Sequence, residues 1–341
     1  MEKYINKFLI SIIVAHPMQY YSMLYRELAK EINLTVFYGV NLCSEQKGAD
    51  GFGISLQWDI DLVQGYEFEV LDNISKWPIN FYILGYDHLD VCETLERYNS
   101  THVANFGWHL KSYPQVLKYY KKKSIPIDVR GVSKIDINES SVKEIIKSIY
   151  YSIFLKRYNA LLSVGSKNRK YLMEYHVQEN KSICSSRAVY QQFWKGKSAA
   201  HYKYTFIWLG KFISLKISFG IIDLFKILDK SNQNIQLKMT GTGIMLDAAI
   251  QRASSCTGIP FLGFKNQLKL REEYLSSDAL VLTSDLETPG LVVNEAFAIG
   301  LKAIVSSKVG SSGGVIKPNT GIVYNASNVN ILSEWMMKLC A

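Results

Sequence analysis

The chain has little cysteine and histidine, and neither residue type is arranged as a set of metal ligands. Its five cysteines are scattered over 341 residues without a Cys-x-x-Cys pair, and its six histidines are equally dispersed. This distribution argues against a disulfide framework or structural zinc, and it predicts free thiols in a reducing compartment. No metal site is visible, so we expect none.

Long hydrophobic runs are also missing, because no apolar stretch reaches the length of a membrane span. The apolar stretch Phe8–Ala15 follows Lys3 and Lys7, as the core of a signal peptide would. However, His16-Pro17 interrupts the stretch, and no small-residue cleavage site follows. Its content of Ile and Val favours a buried parallel strand instead. We therefore expect a cytoplasmic protein. The chain also lacks repeats and low-complexity tracts.

Positive charge is concentrated in the middle of the chain. The formal net charge is +9; residues 97–190 hold 17 Lys and Arg against 6 Asp and Glu, whereas residues 1–96 hold 6 against 14. Two stretches that mix basic and aromatic residues, Lys118–Lys123 and Lys147–Arg157, hold much of this charge. Such helices suit an anionic membrane surface. The alternative is a solvated basic face above ordinary core aromatics. No nucleic-acid motif is present, so no nucleic acid is expected as a partner.

Strand and helix patterns alternate along the whole chain, which predicts parallel sheets with crossover helices. The first half contains predicted strands 8–15, 34–38, 66–71, 102–106, 125–129 and 160–164, and helices 19–31, 86–98, 112–122, 140–157 and 167–176. The second half contains predicted strands 205–209, 235–239, 259–262, 279–283, 303–306 and 321–324, and helices 218–229, 244–254, 267–276 and 327–338. The fold class is therefore α/β, with two doubly wound, Rossmann-like domains.

The alternation lapses around residues 189–197, which we interpret as a linker. We predict an N-terminal domain over residues 1–190 and a C-terminal domain over residues 191–325. Residues 326–341 form a C-terminal helix that can pack back toward the N-terminal domain. Ligands of doubly wound sheets bind outside the carboxyl ends of the strands, so we expect a site in a central cleft that both domains face.

The most informative segment runs from Ser284 to Gly300 and contains two carboxylates, Glu287 and Glu295. A turn-forming Thr-Pro-Gly lies between them, and an apolar helix follows. Carboxylates near a helix start are common as caps and as partners of the helix dipole. Two carboxylates beside the free N–H groups of a helix start would, however, suit a ligand with both hydroxyls and phosphates. A nucleotide sugar is such a ligand.

The surroundings of these carboxylates resemble the retaining glycosyltransferases of family 4, which have the GT-B fold. The resemblance covers Ile259–Tyr324 and rests on a strand followed by Gly, a helix ending in Tyr, and the spaced Ser, Glu, Glu-Ala and Gly residues. These elements are Pro260-Phe-Leu-Gly263-Phe264, Tyr274-Leu-Ser-Ser-Asp-Ala279, Ser284, Glu287, Glu295-Ala296, Gly300 and Val309-Gly310. A His-Pro-x-Gln-Tyr opening at His16 is similar to a bacterial polysaccharide subset of the same family.

The resemblance implies a donor site in the C-terminal domain. Gly210 with Lys211 and Lys216 corresponds to an element whose cations hold the donor diphosphate, and two loop cations suit a diphosphate on chemical grounds as well. Glu287 would hold the hydroxyls of the donor sugar, and Glu295 those of the ribose. The remaining donor-binding residues implied are Gly241, Thr242, Phe264 (whose backbone would contact the base), Thr288, and the N–H groups of Gly290, Leu291 and Val292.

The chain departs from the family pattern at several of these positions. Lys211 stands where Arg is usual, and Lys cannot make the bidentate contact of Arg. The other departures are Ile217 in place of Gly, Lys302 in place of Pro, and Gly313-Gly314 where an acidic residue is often found. The departures at Lys211 and Ile217 leave the strength of phosphate binding open.

The resemblance implies that the N-terminal domain binds the acceptor, through His16, Gln19, Tyr20, His109 and Arg130, although Arg130 could contact a phosphate instead. Tyr21 and Tyr25 could stack on sugar faces as well, or merely pack their helix. His109 is a candidate catalytic residue, with Glu287 and Lys216; the alternative is a structural histidine. Val132 stands where the subset usually has an acidic residue, which weakens the element around Arg130.

Together these features predict a retaining, metal-independent, hexosyltransferase-type glycosyltransferase of lipopolysaccharide, capsule or other surface polysaccharide biosynthesis. It would use a nucleoside diphosphate sugar as donor substrate and no cofactor, and it would act on a glycan or lipid-linked acceptor at the inner face of the cytoplasmic membrane. One alternative is a GT-B nucleotide-sugar epimerase. The other is an inactive scaffold with the same fold, for which the departures at Lys211, Ile217 and Lys302 argue.

Overall fold

The structure is a computed structural model that describes residues 8–40, 59–76, 84–132, 141–185, 189–196, 202–216, 218–231, 234–285, 287, 290–312, 315–326 and 328–340. The chain divides into two compact units. The first unit comprises Met1–Ser44 and Asp61–Ala188, and the second comprises Glu45–Ile60 and Val189–Ala341.

The first unit contains a seven-stranded parallel sheet in the order β3-β2-β1-β4-β5-β6-β7. Its strands are β1 (Leu9–Val14), β2 (Asn33–Tyr38), β3 (Glu67–Val70), β4 (His102–Phe106), β5 (Ile127–Gly131), β6 (Leu161–Ser163) and β7 (Ser182–Cys184). The central strands are rich in Ile, Val and Phe because helices cover both faces of the sheet. Apolar cores accordingly lie on each side of it.

The helices of the first unit connect successive strands as crossovers, as parallel pairing requires. They are α1 (Gln19–Glu31), α2 (Val91–Arg97), α3 (Ser112–Lys122), α4 (Ser141–Phe154) and α5 (Ser166–Glu174). A helix of one turn, α6 (Gln191–Trp194), lies at the predicted linker and buries Trp194 in the second unit.

The second unit contains a six-stranded parallel sheet in the order β10-β9-β8-β11-β12-β13. Its strands are β8 (Tyr204–Leu209), β9 (Ile235–Thr240), β10 (Phe261–Gly263), β11 (Ala279–Leu282), β12 (Lys302–Ser306) and β13 (Gly321–Tyr324). Every residue of β11 is buried, as expected for a strand at the centre of a two-sided core.

The helices of the second unit are α7 (Ser218–Ser231), α8 (Leu246–Ala253), α9 (Gln267–Leu275), α10 (Leu291–Ile299) and α11 (Val329–Cys340). The C-terminal helix α11 packs against α7 and buries Leu332 and Met336 in the core of this unit. It is therefore part of the second unit, whereas the sequence analysis set it apart from that domain. In the described part of the chain, no helix combines the length and the apolar character needed to cross a membrane.

Each sheet reverses its strand order at one point, between β1 and β4 in the first unit and between β8 and β11 in the second. The loops that leave the carboxyl ends of two such strands diverge to opposite sides, which opens a crevice suited to a ligand. The predicted fold class, α/β with two doubly wound units, is confirmed. The strand β7 was missed. Residues 41–65, which are rich in Gly and polar residues, are predicted from the sequence to form a loop, and residues 41–58 of that segment lie outside the described residues.

Candidate functional site

The loops that follow β8 and β11 meet at the reversal point of the second sheet. The loop after β8 contains Gly210, Lys211 and, in a short 3-10 turn, Lys216. The loop after β11 contains Glu287. The topology therefore brings together the two cations and the first carboxylate that the sequence predicts at the donor site.

The ammonium group of Lys216 donates a hydrogen bond directly to the carboxylate of Glu287. The side chains are 14% and 21% exposed, so this ion pair is only partly solvated. Charge-assisted hydrogen bonds are stronger where water is partly excluded. The pair is thus a preformed polar centre with one cation and one hydroxyl acceptor in contact.

Two buried side chains hold Lys216 in place through its backbone. The indole N–H of Trp208, on β8, donates to the hydroxyl of Thr283 at 3.1 Å, and that hydroxyl donates to the carbonyl of Lys216 at 2.8 Å. The N–H of Asp285 also donates to the carbonyl of Leu215 at 2.9 Å. Sequence reasoning missed this support, although a Trp inside an apolar strand signals that its N–H needs a buried partner.

The glycine-rich turns after β9 and β10 pack against the loop after β8. The N–H groups of Gly210 and Phe212 donate to the carbonyls of Thr240 and Thr242 at 3.1 and 3.0 Å. A Cβ added to Gly241, whose φ is +140°, would lie 1.8 Å from the carbonyl oxygen of Gly210. Gly241 therefore allows the turn after β9 to approach the backbone of Gly210 closely. Short glycine-containing segments usually have this role in tight turns.

The turn after β10 joins the same group. The N–H of Gly241 donates to the carbonyl of Gly263 at 2.9 Å, which places Phe264 next to the loops described above. The predicted donor-binding residues after β8, β9 and β10 therefore share one edge of the sheet. Their roles toward a ligand remain predictions.

Helix α10 begins at this edge, and among the described residues no side chain caps its amino end. Gly290 is its N-cap in the left-handed region at φ +60°, and it makes no side-chain capping bond. The first N–H groups of a helix, here those of Leu291 and Val292, have no partner within the helix, so they suit an anion. Glu287 is fixed nearby along the chain, because its carbonyl accepts from the N–H of Gly310 at 2.8 Å.

The second carboxylate, Glu295, is buried on the inner side of α10, with 8% of its surface exposed. The hydroxyl of Tyr274 donates to its Oε2 at 3.0 Å and contacts the carbonyl of Val292 at 3.2 Å. Burial raises the pKa of Glu295 to about 7, and the hydrogen bond from Tyr274 opposes part of that rise. Glu295 therefore changes its charge near neutral pH.

In the first unit, the turn after β1 holds two buried polar atoms that have no partner among the described residues. They are Nδ1 of His16 and Oε1 of Gln19, which begins α1. Burial lowers the pKa of the His16 imidazole, so the ring is neutral at pH 7. Buried polar atoms normally find a partner, so these two point to a ligand or an ordered water at the reversal point of this sheet.

The tyrosines that follow differ from one another in their accessibility. Tyr20 is half-buried, and its hydroxyl contacts the sulfur of Met18 at 3.1 Å. Tyr21 and Tyr25 lie in the core with 5% and 0% of their surfaces exposed. The suggestion that Tyr21 and Tyr25 stack on sugar faces is therefore wrong, because their rings fill the space between α1 and the sheet.

Arg130 is also more buried than its predicted role suggests, at 3% exposure. Its guanidinium lies over the rings of Tyr21 and Phe106, at 5.4 and 5.5 Å from their centres, and its Nη2 donates to the carbonyl of Ser185 at 3.0 Å. These contacts stabilise the packing of β4, β5 and α1. They show a structural use for Arg130.

His109 is exposed in the loop after β4, between the buried residues Trp108 and Leu110. The Trp108 ring stacks on Tyr171 at 6.2 Å and fills the space beside Gly131, where an added Cβ would lie 1.9 Å from the ring. The loop is therefore anchored on both sides of His109. His16 and His109 follow the two strands that flank the reversal point.

Comparison with known proteins assigns the second unit to a family. Residues 191–341 match the family model described as Glycosyl transferases group 1. The chain is a glycosyltransferase. No curated protein sequence matches it.

The fold of the whole glycosyltransferase is that of the GT-B enzymes. Similar solved structures include a glycosyltransferase from Rickettsia africae, with 14% identity, a TM-score of 0.71, and coverage of 98% of this chain and 88% of that chain. HepE from Anabaena in complex with UDP and glucose has 11% identity, a TM-score of 0.68 and coverage of 97% and 89%. The lipopolysaccharide outer core galactosyltransferase WaaB has 15% identity, a TM-score of 0.66 and the same coverage. At these identities the likeness establishes the fold.

Some predicted features of the glycosyltransferase lie outside the described residues, namely Thr288, Ile217 and Gly313-Gly314. Lys302, by contrast, is described and exposed as the first residue of β12. It lies at the amino end of that strand, at the opposite edge of the sheet from the candidate site. This departure from the family pattern therefore does not touch the site.

Proposed function

We propose that this glycosyltransferase moves a sugar from a nucleoside diphosphate sugar to a hydroxyl of a glycan or lipid-linked acceptor, with retention at the anomeric carbon and without a metal. The observation that supports it most is the contact between Lys216 and Glu287 at the reversal point of the matched unit. One cation and one carboxylate in contact suit a substrate that presents a phosphate and sugar hydroxyls side by side. The UDP and glucose held by HepE are ligands of this kind.

In this proposal the diphosphate is bound by the loop after β8 and by the start of α10. Lys211, Lys216 and the N–H groups of Leu291 and Val292 supply positive charge where the leaving group becomes more negative, which lowers the barrier. Glu287 accepts hydrogen bonds from the hydroxyls of the sugar. A hydrogen bond to a charged group contributes about 1.5–3 kcal/mol. The donor thus replaces the Lys216–Glu287 contact with one contact to each residue.

The nucleoside would lie along the turn at Phe264, with its ribose toward Glu295. An ionised Glu295 accepts two hydroxyl hydrogen bonds better than a protonated one, and its pKa of about 7 makes this binding depend on pH. Tyr274 fixes the carboxylate that would receive the ribose.

Retention is proposed to proceed without an enzyme nucleophile, because Glu287 and Glu295 are both assigned to hydroxyl binding. The acceptor oxygen forms a bond to the anomeric carbon while the bond from that carbon to the phosphate oxygen breaks. The proton of the acceptor hydroxyl passes to the departing phosphate. The positive charge of Lys216 stabilises the diphosphate that leaves.

The acceptor is proposed to bind to the first unit at the turn that contains His16 and Gln19, with Tyr20 beside it and His109 on the neighbouring loop. We place the enzyme in the cytoplasm, at the inner face of the cytoplasmic membrane, in surface polysaccharide or capsule biosynthesis. The lipopolysaccharide galactosyltransferase WaaB, a structure of the same fold, supports this setting. The basic stretches Lys118–Lys123 and Lys147–Arg157 suit an anionic membrane surface.

Analysis of the products tests this proposal against its alternatives. Incubation with a sugar nucleotide and a mixture of glycan acceptors should give a glycosidic bond with the anomeric configuration of the donor, measured by NMR. Glu287→Ala should abolish this product while circular dichroism shows an intact fold. A new sugar nucleotide without transfer would instead identify an epimerase. Neither donor cleavage nor transfer in the wild type, with any common sugar nucleotide, would favour the scaffold.

A further inference from the structure

Helix α4 of the first unit exposes a continuous apolar face. The side chains of Ile145, Ile146, Ile149 and Ile153 are 59%, 65%, 59% and 66% exposed, and Tyr150 is 47% exposed. At 3.6 residues per turn these five positions share one side of the helix, within an arc of about 140°. We call this set of five side chains the α4 surface. Soluble proteins rarely leave such a set of large apolar side chains in contact with water.

The opposite side of the same helix packs against the core of the first unit. The α4 surface is therefore a second apolar side of the helix, distinct from the side that belongs to the core. Phe154 is 4% exposed and belongs to the core of the first unit, and Tyr151 packs against that core beside Trp108 and Tyr175. The helix is therefore fixed to the unit by one side and presents four isoleucines on the other.

Basic side chains gather where α4 ends. Lys156 and Arg157 follow it in a 3-10 turn, and both are exposed. The ammonium group of Lys181 donates to the carbonyls of Lys156 and Tyr158 at 3.1 and 3.2 Å. Lys121, at the basic end of α3, donates to Asn159 at 3.1 Å. The two basic stretches of the sequence thus meet at one end of the α4 surface.

We propose that the α4 surface inserts into the interface of an anionic lipid bilayer, with Lys156, Arg157, Lys181 and Lys121 on the lipid headgroups. The inference deepens the proposed function, since it identifies the part of the first unit that would hold the enzyme at a membrane. A helix of 14 residues is too short to span a bilayer, which takes about 20, so it lies in the plane of the surface. Apolar side chains beside clustered cations are the composition that such helices share.

The positive charge of this region favours an anionic bilayer over a second copy of the chain as the partner of the α4 surface. A second copy would bring the same excess of positive charge, 17 Lys and Arg against 6 Asp and Glu over residues 97–190, and this self-repulsion disfavours association. An anionic bilayer offers both an apolar layer and opposite charge.

Vesicle flotation with the full-length chain tests the inference. The wild type should bind phosphatidylglycerol-containing vesicles in low salt and bind pure phosphatidylcholine vesicles far less. The triple variant Ile145→Ser, Ile149→Ser, Ile153→Ser should lose at least about tenfold in vesicle affinity. The variant Lys156→Gln, Arg157→Gln should lose about fivefold for each charge removed. Donor binding to the second unit, measured by thermal shift, should be unchanged in both variants.

Matched controls come from exposed residues of the second unit. The triple variant Ile227→Ser, Ile250→Ser, Leu268→Ser removes as many exposed apolar side chains, and Lys230→Gln, Lys269→Gln removes as many charges. Both should bind vesicles like the wild type. An equal loss of vesicle affinity in the α4 variants and in the controls would overturn the inference. A wild type that does not bind anionic vesicles would overturn it as well. Neither result bears on sugar transfer, which the donor and product assays measure separately.

A second measurement keeps the inference testable if the serine variant fails to fold. Ile149→Trp preserves the apolar character, and its added emission should shift to the blue with anionic vesicles, whereas that of Ile227→Trp should not. Sedimentation of the wild type at rising concentration should show a monomer. A dimer that the serine variant abolishes would assign the α4 surface to a second copy and overturn the lipid assignment.

Discussion

At the scale of one residue, Lys216 is held in place by its neighbours, as a group that is to bind a ligand should be. Its ammonium group contacts Glu287, and its backbone carbonyl is held by Thr283 and, through it, Trp208. A long flexible side chain normally loses rotamer freedom when it binds a ligand. Here the backbone of Lys216 is already fixed, so in the proposed function the side chain loses less freedom when its ammonium group exchanges Glu287 for a diphosphate.

Lys216→Ala should raise the apparent donor KM or lower kcat at least tenfold, because a charge on the leaving diphosphate loses its partner. Steady-state kinetics with varied donor measures both constants. Lys302→Ala is the matched control, since Lys302 is exposed at the opposite end of the sheet. Unchanged kinetics for Lys216→Ala would remove its assigned role.

The pKa of Glu295 near neutrality should make stability depend on pH and, in the proposed function, donor binding as well. Its folded-state pKa of about 7 exceeds the ordinary value of 4.5, so its contribution to stability is complete below pH 4.5 and is lost as pH rises through 7. Glu295→Gln removes this loss. Its free energy of unfolding, relative to that of the wild type, should therefore rise by about 1–3 kcal/mol from pH 5 to pH 8. Thermal unfolding at both pH values measures the gain.

The same substitution should affect donor binding in the opposite sense. Wild-type affinity for a sugar nucleotide should rise from pH 6 to pH 8 as Glu295 ionises, whereas Glu295→Gln should bind more weakly with a flatter pH profile. The control is Glu272→Gln on the exposed side of α9, which should match the wild type in both assays. The difference in stability between the wild type and Glu295→Gln should change with pH. A difference that stays constant would contradict the raised pKa assigned to Glu295.

At the scale of elements, the turns after β8, β9 and β10 form one layer held by backbone hydrogen bonds. Gly241→Ala should destabilise the protein by at least about 2 kcal/mol more than Gly263→Ala. Both glycines have positive φ, but only at Gly241 would the new Cβ meet a backbone oxygen, at 1.8 Å. The pair of variants therefore separates the steric conflict from the cost of φ. Similar midpoints in urea for the two variants would contradict this packing.

Elements with a strong hydrophobic pattern could be predicted from the sequence, and elements with a weak pattern could not. The central strands are continuous apolar runs, so their positions and the α/β class follow from the pattern. The strand β7 has three residues, and two of them are exposed, so no apolar run marks it. The tyrosines of α1 were ambiguous because spacing places Tyr21 and Tyr25 on one face without showing that the sheet covers it.

At the scale of the whole molecule, the sequence predicts which loops lie at the site, because the ends of strands are set by local patterns. It does not predict the partners within the site. The Lys216–Glu287 contact joins residues far apart in the chain, and the support by Trp208 depends on the register of β8 with β11. Likewise, the burial of Arg130 under two aromatic rings requires the packed first unit.

Whether sugar transfer needs a metal ion is tested on the complete reaction. If Lys211, Lys216 and the start of α10 supply the charge on the diphosphate, EDTA should leave the rate of transfer within about twofold of its starting value. The rate should be measured before and after dialysis against the chelator, and again after Mg²⁺ is added. Loss of activity that Mg²⁺ restores would show that the mechanism is wrong on this point.

The central claim is that the second unit binds an activated sugar through its diphosphate and hydroxyls. A thermal-shift screen of the wild type and Lys216→Ala against a panel of sugar nucleotides tests it most directly. A ligand at a hundred times its Kd stabilises the folded state by about 2.7 kcal/mol. The account predicts that at least one sugar nucleotide raises the wild-type midpoint by several degrees and has little effect on Lys216→Ala. No shift with any sugar nucleotide, or an equal shift in both proteins, would contradict it.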